Sequence, residues 1–283
     1  MTTIDRRDFV RTSTAALAAA ALPRQAYCGS SARKLERIGV QLYTLRTELR
    51  RDFEGTLARV AEIGFKEVEF AGYYERTPEQ IRSTLARLGL SSPAGHMPYE
   101  SLGDGWSRTL DLAGRTGHQY VAIAWTPVEA RQSLDDWKRI GEKFNLAGKA
   151  AREAGLTFAY HNHEFEFVPL EGRIPFDILL EQCDPALVKI EMDLYWIALG
   201  GRDPLDYFRR YPGRFPMVHV KDMKRVAPKP EMVDVGVGDI DFKTIFGRSE
   251  EAGIRHYFVE HDEPRAPLES IRASFQYLRR LEF

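Results

Sequence analysis

The chain has 283 residues, with Lys plus Arg at 40 against Asp plus Glu at 41, and is 43% hydrophobic and 29% charged. That balance leaves no excess positive charge for gripping a nucleic acid backbone, and the chain is too apolar for extended disorder. Two cysteines, Cys28 and Cys183, exclude a disulfide framework.

Residues 1–30 read as a targeting segment. Arg6-Arg7-Asp8-Phe9-Val10-Arg11 precedes an Ala-rich run from Thr14 to Leu22, and the pair resembles a twin-arginine export signal. The expectation is an exported protein, periplasmic or extracellular, with one mature domain over 31–283. The apolar run is far shorter than the roughly 20 residues that cross a bilayer, so the mature chain is expected to have no membrane span. From residue 38 onward, short alternating runs and longer amphipathic runs take turns, which is the rhythm of βα units. Strands are predicted at 38–43, 67–70, 92–96, 120–124, 157–161, 187–193, 217–221 and 257–260. Helices are predicted at 53–63, 78–88, 102–116, 134–154, 176–182, 204–210, 242–252 and 268–281.

Alternate strand residues point to opposite faces of a sheet. In Val188-Lys189-Ile190-Glu191-Met192-Asp193 the apolar set takes one face and the ionisable set the other. Val218 and Val220 likewise oppose His219 and Lys221, and Val68 and Phe70 oppose Glu67 and Glu69. An open doubly wound sheet buries both faces and reads as continuous apolar runs. The split therefore predicts a closed (β/α)8 TIM barrel with its polar face inward.

Four strand ends carry metal-ligand chemistry: His161 with His163 on the fifth strand, Asp193 on the sixth, His219 on the seventh and Glu260 on the eighth. Barrel enzymes gather their active sites at these C-terminal strand ends. Imidazole with carboxylate suits one divalent ion, Mn, Zn, Co, Fe or Mg, and missing thiolates argue against a structural zinc site. Each residue alone has a bland alternative: Asp193 capping the next turn, Glu260 pairing with Arg265. Four at successive strand ends favour a shared ion. Other polar groups aimed at the mouth are Gln41, Tyr43, Glu69, His96 and Trp196, a set suited to holding a sugar. Trp125 and Tyr99 read as packing residues. Gly236-Val237-Gly238 is too short for a phosphate loop.

The runs Tyr160-His161-Asn162-His163-Glu164-Phe165-Glu166-Phe167, Glu191-Met192-Asp193-Leu194-Tyr195-Trp196, Val218-His219-Val220-Lys221-Asp222 and Val259-Glu260-His261-Asp262 resemble the xylose isomerase-like barrel superfamily, in its sugar phosphate isomerase/epimerase branch. The resemblance implies one divalent metal held by Glu, Asp, His and Glu. Asp193, His219 and Glu260 carry over, while His161 stands where Glu is common, leaving His161 or Glu166 as the fifth-strand ligand. It also implies an isomerase or epimerase working through an enediolate, with Glu260 taking the proton and His163, Glu166 or Lys221 as the second acid or base. Export turns the expected substrate toward an unphosphorylated sugar or keto-sugar. A lyase or dehydratase on a keto-sugar, keto-glycoside or inosose is the enzymatic alternative, favoured by His161. A non-catalytic sugar-binding barrel is the alternative of another class. Relatives of this branch often pair, which leaves a homodimer open.

Overall fold

Alternation along the strands builds a closed cylinder in this computed structural model, which describes residues 32–283. The targeting segment expected over residues 1–30 lies outside the described residues. Eight parallel strands form the barrel: β1 (Gly39–Gln41), β2 (Glu67–Phe70), β3 (Ser91–Met97), β4 (Tyr120–Ile123), β5 (Thr157–His161), β6 (Val188–Asp193), β7 (Met217–Val220) and β10 (His256–Val259). A two-stranded antiparallel hairpin, β8 (Asp222–Lys224) with β9 (Glu231–Val233), is inserted after β7, and β10 closes the barrel by pairing with β1.

The outward residues of the strands, among them Val40, Val68, Ile190, Met192, Val218 and Val259, are buried in one core shared with the surrounding helices. A second, smaller cluster of Ala94, Tyr120, Ala122, Ala159, Met217 and Phe258 forms a separate core. Three alanines and three larger side chains, Tyr120, Met217 and Phe258, fill the cylinder below the polar groups, so the inside is packed rather than hollow. Several helices start where side chains accept orphan amide protons. Thr77 with Gln80 and Ser133 with Asp136 form capping boxes before Pro78–Leu88 and Leu134–Glu153. No helix among the described residues is long and apolar enough to cross a membrane.

The differences from the sequence reading have local causes. The predicted strand 38–43 stops at Gln41, whose side chain accepts from the Tyr43 amide and turns the chain into a 3-10 helix, Leu42–Leu45. The helix predicted from 102 begins at Trp106, after Gly103 with φ 121°. The helix predicted over 242–252 is broken into Phe242–Gly247 and Ser249–Ala252. The helices Arg46–Arg51 and Leu194–Leu199 and the β8–β9 hairpin were not anticipated.

Candidate metal centre and substrate cavity

His219 projects inward from β7 and is fully buried. Its Nδ1 is 2.6 Å from Glu260 Oε2 and 3.8 Å from Asp193 Oδ2; its Nε2 is 2.7 Å from Glu69 Oε2 and 3.4 Å from Glu191 Oε2. The ring thus separates two levels. Above it, Asp193, His219 and Glu260 offer ligand atoms all within 4.8 Å of one another; below it, His96, His161, Glu191 and His219 do the same. His161 also spans the levels, with Nδ1 3.4 Å from Glu191 and Nε2 3.8 Å from Asp193.

Asp193 caps the next helix with one oxygen and leaves the other facing the candidate metal group. Its Oδ1 accepts from the Tyr195 and Trp196 amides at the start of Leu194–Leu199, each at 2.9 Å. Its Oδ2 accepts no hydrogen bond but faces Lys221 Nζ at 3.1 Å, while Glu191 Oε1, Glu69 Oε1 and His161 Nδ1 are buried without hydrogen-bond partners. Unbonded oxygens and an imidazole nitrogen on either side of the His219 ring fit a cation. Charge points the same way. Glu69, Glu191, Asp193, Glu260 and Asp262 crowd the site, while Lys221 is, among the described residues, the one Lys or Arg paired with them, at 3.1 Å from Asp193, 2.9 Å from Glu260 and 2.9 Å from Asp262.

Burial opposes every charge here, and the neighbours decide the outcome. For His219, the carboxylates of Glu191, Glu260 and Glu69 outweigh burial and hold its pKa well above the ordinary value. Burial of Lys221 is likewise outweighed by Asp193, Glu260 and Asp262, which keep it protonated. Burial of Glu260 is outweighed by Lys221 and His219, so it stays a carboxylate. Burial wins at Asp193, pushed up to about 6, and at Glu69, pushed up to about 7 with Glu191 adding to the effect. His163 is driven down to about 3 by burial and then Lys221, so its ring is neutral.

A cavity of about 1410 Å³ opens above these groups and is lined by His96, His161, His163, Lys221 and Glu260, with Tyr43 and Trp196 among its walls. Gln41 and Glu69, expected to touch substrate, do not line it. Both are fully buried, and Gln41 Nε2 donates to Glu69 Oε2 at 2.7 Å, a stack that supports His219 from beneath. Glu166 is also a correction. The short 3-10 turn Phe165–Phe167 turns it away from the axis, where its carboxyl accepts from the Tyr160 hydroxyl and the His163 amide. It reaches neither candidate cation group. Tyr99 packs on Phe144, as expected, but Trp125 lines the cavity and is 49% exposed. Glu191 and Asp262 received no role from the sequence. Glu191 shares the inward parity of Asp193, and Asp262 follows Glu260 by two residues, so the signal was present for Glu191 at least.

Glu166 carries a testable consequence. Burial raises its pKa to about 8 from 4.5, so between those values the folded protein holds a proton that the unfolded chain has released. That contribution is complete below pH 4.5 and is lost as pH rises through 8. At 1.36 kcal/mol per unit it amounts to roughly 5 kcal/mol. Glu166→Gln should therefore lose less stability than the parent when urea unfolding is compared at pH 5 and pH 8.5; equal losses would mean that Glu166 does not hold the proton.

Inward imidazoles and carboxylates at the C-terminal strand ends of a closed parallel barrel define a (β/α)8 barrel with a candidate metal site. The chain belongs to the xylose isomerase-like TIM barrel family, whose model matches residues 57–281. An inosose dehydratase of Clostridium tetani is 26% identical over 266 residues, which span 80% of this chain and 89% of that protein. A solved sugar phosphate isomerase/epimerase from Parabacteroides distasonis is 26% identical with a TM-score of 0.74, covering 90% of this chain and 97% of that one. The fold is shared more distantly, at 14% identity and TM-score 0.67 over 85% of this chain and 95% of the other, with the IOLI protein bearing a zinc atom.

Proposed function

We propose that the protein is a divalent-metal-dependent lyase that removes water from an inosose or a similar unphosphorylated keto-sugar. The observation that carries the reading is the likeness to inosose dehydratase along 80% of the chain, joined to a barrel mouth bearing a base, an ammonium and a cation-ready donor set. It takes precedence over the isomerase or epimerase expected from the sequence. That second reading keeps support from the Parabacteroides distasonis neighbour. An isomerase must return the proton to carbon, and the residue standing where the family's second glutamate would be is His161, whose pKa burial and then His219 hold well below the ordinary value.

Asp193, His219 and Glu260 would hold the ion, with His161 reaching it from the side through Nε2. A divalent cation supplies Lewis acidity to the substrate carbonyl and so acidifies the neighbouring C–H. Glu260, ionised and at the cavity floor, takes that proton. Lys221, protonated and 2.9 Å from Glu260, gives a proton to the departing oxygen. His163, neutral and flanked by Trp125 and Trp196 with ring centroids 5.3 and 5.5 Å away, orients hydroxyls without adding charge. The amides of Gly236, Gly238 and Ile240 are already taken by Asp222, so this loop offers no phosphate cradle and an unphosphorylated substrate fits better.

Incubation with inosose in deuterated water tests the reading by mass spectrometry. Loss of one water supports it; deuterium exchange without loss of water supports the isomerase instead, and neither change would leave a sugar-binding barrel. Chelation should abolish turnover and also lower Tm, since an ion at about 100 times its Kd adds about 2.7 kcal/mol of stability. An unchanged Tm on chelation and reloading would count against the ion. The export reading rests on Arg6-Arg7 and the Ala-rich run alone, and cell fractionation with both arginines changed to lysine tests it: retention in the cytoplasm supports export by this route.

A further inference from the structure

We infer that the protein holds a second divalent ion, deeper in the barrel than the first, between the rings of His96, His161 and His219 and the carboxylate of Glu191. The ion at the mouth serves the reaction proposed above; the deeper one is independent of which reaction that is. Three ring nitrogens converge on one oxygen. Glu191 Oε2 lies 2.8 Å from His96 Nε2, 3.4 Å from His161 Nδ1 and 3.4 Å from His219 Nε2. A tetrahedral ion with bonds of about 2.0–2.1 Å sets its ligand atoms roughly 3.3–3.4 Å apart, so these separations are close to those of a filled site. The four side chains come from β3, β5, β6 and β7 and face one another across the barrel axis. Their rings enclose a small space, with centroids 5.2 Å apart for His96 and His161, 5.3 Å for His96 and His219, and 4.4 Å for His161 and His219.

Hydrogen bonding within the protein leaves this group unfinished. Glu191 Oε1 and His161 Nδ1 are buried without a hydrogen-bond partner, and Glu191, His161 and His219 are almost wholly shielded from solvent. Buried polar atoms are rarely left so, and a cation satisfies an oxygen and a nitrogen together. Charge agrees. Ionised, Glu69, Glu191, Asp193, Glu260 and Asp262 face the single ammonium of Lys221, which leaves four negative charges in a buried site. A divalent ion at the mouth offsets two of them, and a second ion offsets the other two.

The two levels differ in their donors. Three imidazoles and one carboxylate favour Zn or Co, whereas Asp193, His219 and Glu260, with two carboxylates to one imidazole, suit Mn or Mg as well. Entry to the lower group is past His96, which lines the cavity and has a side chain 14% exposed. Once inside, the ion fixes His161 and His219, the two rings that also face Asp193 Oδ2, each at 3.8 Å. His219 serves both levels, with Nδ1 toward Glu260 and Nε2 toward Glu191. With both ions bound, its ring gives up its N–H protons to solvent and bridges them.

The test counts ions and needs no substrate. The full chain is stripped, reloaded with Zn at one free concentration and analysed for metal per chain by mass spectrometry. The expected result is two ions in the parent, and one in each of His96→Gln, Glu191→Gln and Asp193→Asn. Co loading gives the same count by titration of its visible absorption. Two ions retained in both His96→Gln and Glu191→Gln overturns the inference. One ion per parent chain also overturns it, and does so even where a variant fails to fold. If that one ion is lost from Asp193→Asn alone, the mouth site stands; if it is lost from His96→Gln and Glu191→Gln alone, the assignment of the ion to the mouth falls as well. No ion in the parent overturns both sites, and with them the metal-dependent reading of the function.

Discussion

Glu260→Gln is expected to lower kcat by roughly 10²–10⁴-fold, the range spanned by removal of a general acid or base. Glutamine keeps the size of the side chain and an oxygen that can accept from His219 Nδ1, now 2.6 Å from the carboxylate. It removes the negative charge that would receive the proton, and one of the charges that hold His219 and Lys221 in their protonated forms. Because Glu260 is also a candidate ligand, metal content must be measured alongside rate. A ligand that is not the base should be rescued by saturating Mn or Zn. A base should stay inactive with the ion bound. Turnover within about threefold of the parent, on the same scale of tenfold per 1.36 kcal/mol, would remove Glu260 from the proton transfer, whereas no turnover by the parent on any keto-sugar would favour a binding protein.

The face of each strand was legible in the sequence, but the depth was not. Alternation in Val188-Lys189-Ile190-Glu191-Met192-Asp193 told which residues point inward, and those apolar partners do form the outer core. The same alternation gives Glu191 and Asp193 equal standing, although one lies below the His219 ring and the other above it. Glu69 was misread for the same reason: its parity is inward, but it sits under His219 rather than at the cavity. Depth depends on strand stagger around a closed barrel, which is a long-range property. Glu166 failed differently. Its direction is set by a three-residue 3-10 turn after β5, and loop geometry of that length leaves no periodic trace. The β8–β9 hairpin, with strands of three residues each, is too short to register as alternation.

That hairpin has a sequence explanation once its anchor is known, and the anchor makes the second large prediction. Asp222 is 1% exposed, and its carboxylate accepts from the amides of Met223, Gly236, Gly238 and Ile240 at 2.8, 2.8, 2.9 and 3.2 Å. The carboxylate requires the glycine at 238, and the Tyr277 ring with a positive φ requires the one at 236. A Cβ on Gly238 would lie 2.2 Å from Asp222 Oδ1, and one on Gly236, at φ 94°, would lie 2.3 Å from the Tyr277 ring. Gly236-Val237-Gly238 is therefore an anion cradle filled by the chain itself. Asp222→Ala strands these donors. Each buried unpaired group costs about 1–3 kcal/mol, and partial hydration of the loop glycines lowers the sum, so a loss of about 4 kcal/mol is expected. For a barrel of this size that corresponds to a fall in Tm of roughly 8–16 °C by calorimetry. Asp222→Asn, which keeps one carbonyl acceptor, should fall between Ala and the parent. Since the hairpin walls the cavity, substrates that reach it should also lose KM before kcat. A fall in Tm below about 2 °C for the alanine variant, under 1 kcal/mol on the same scale, would mean that strand pairing at Met223 and Met232 holds the wall without the carboxylate.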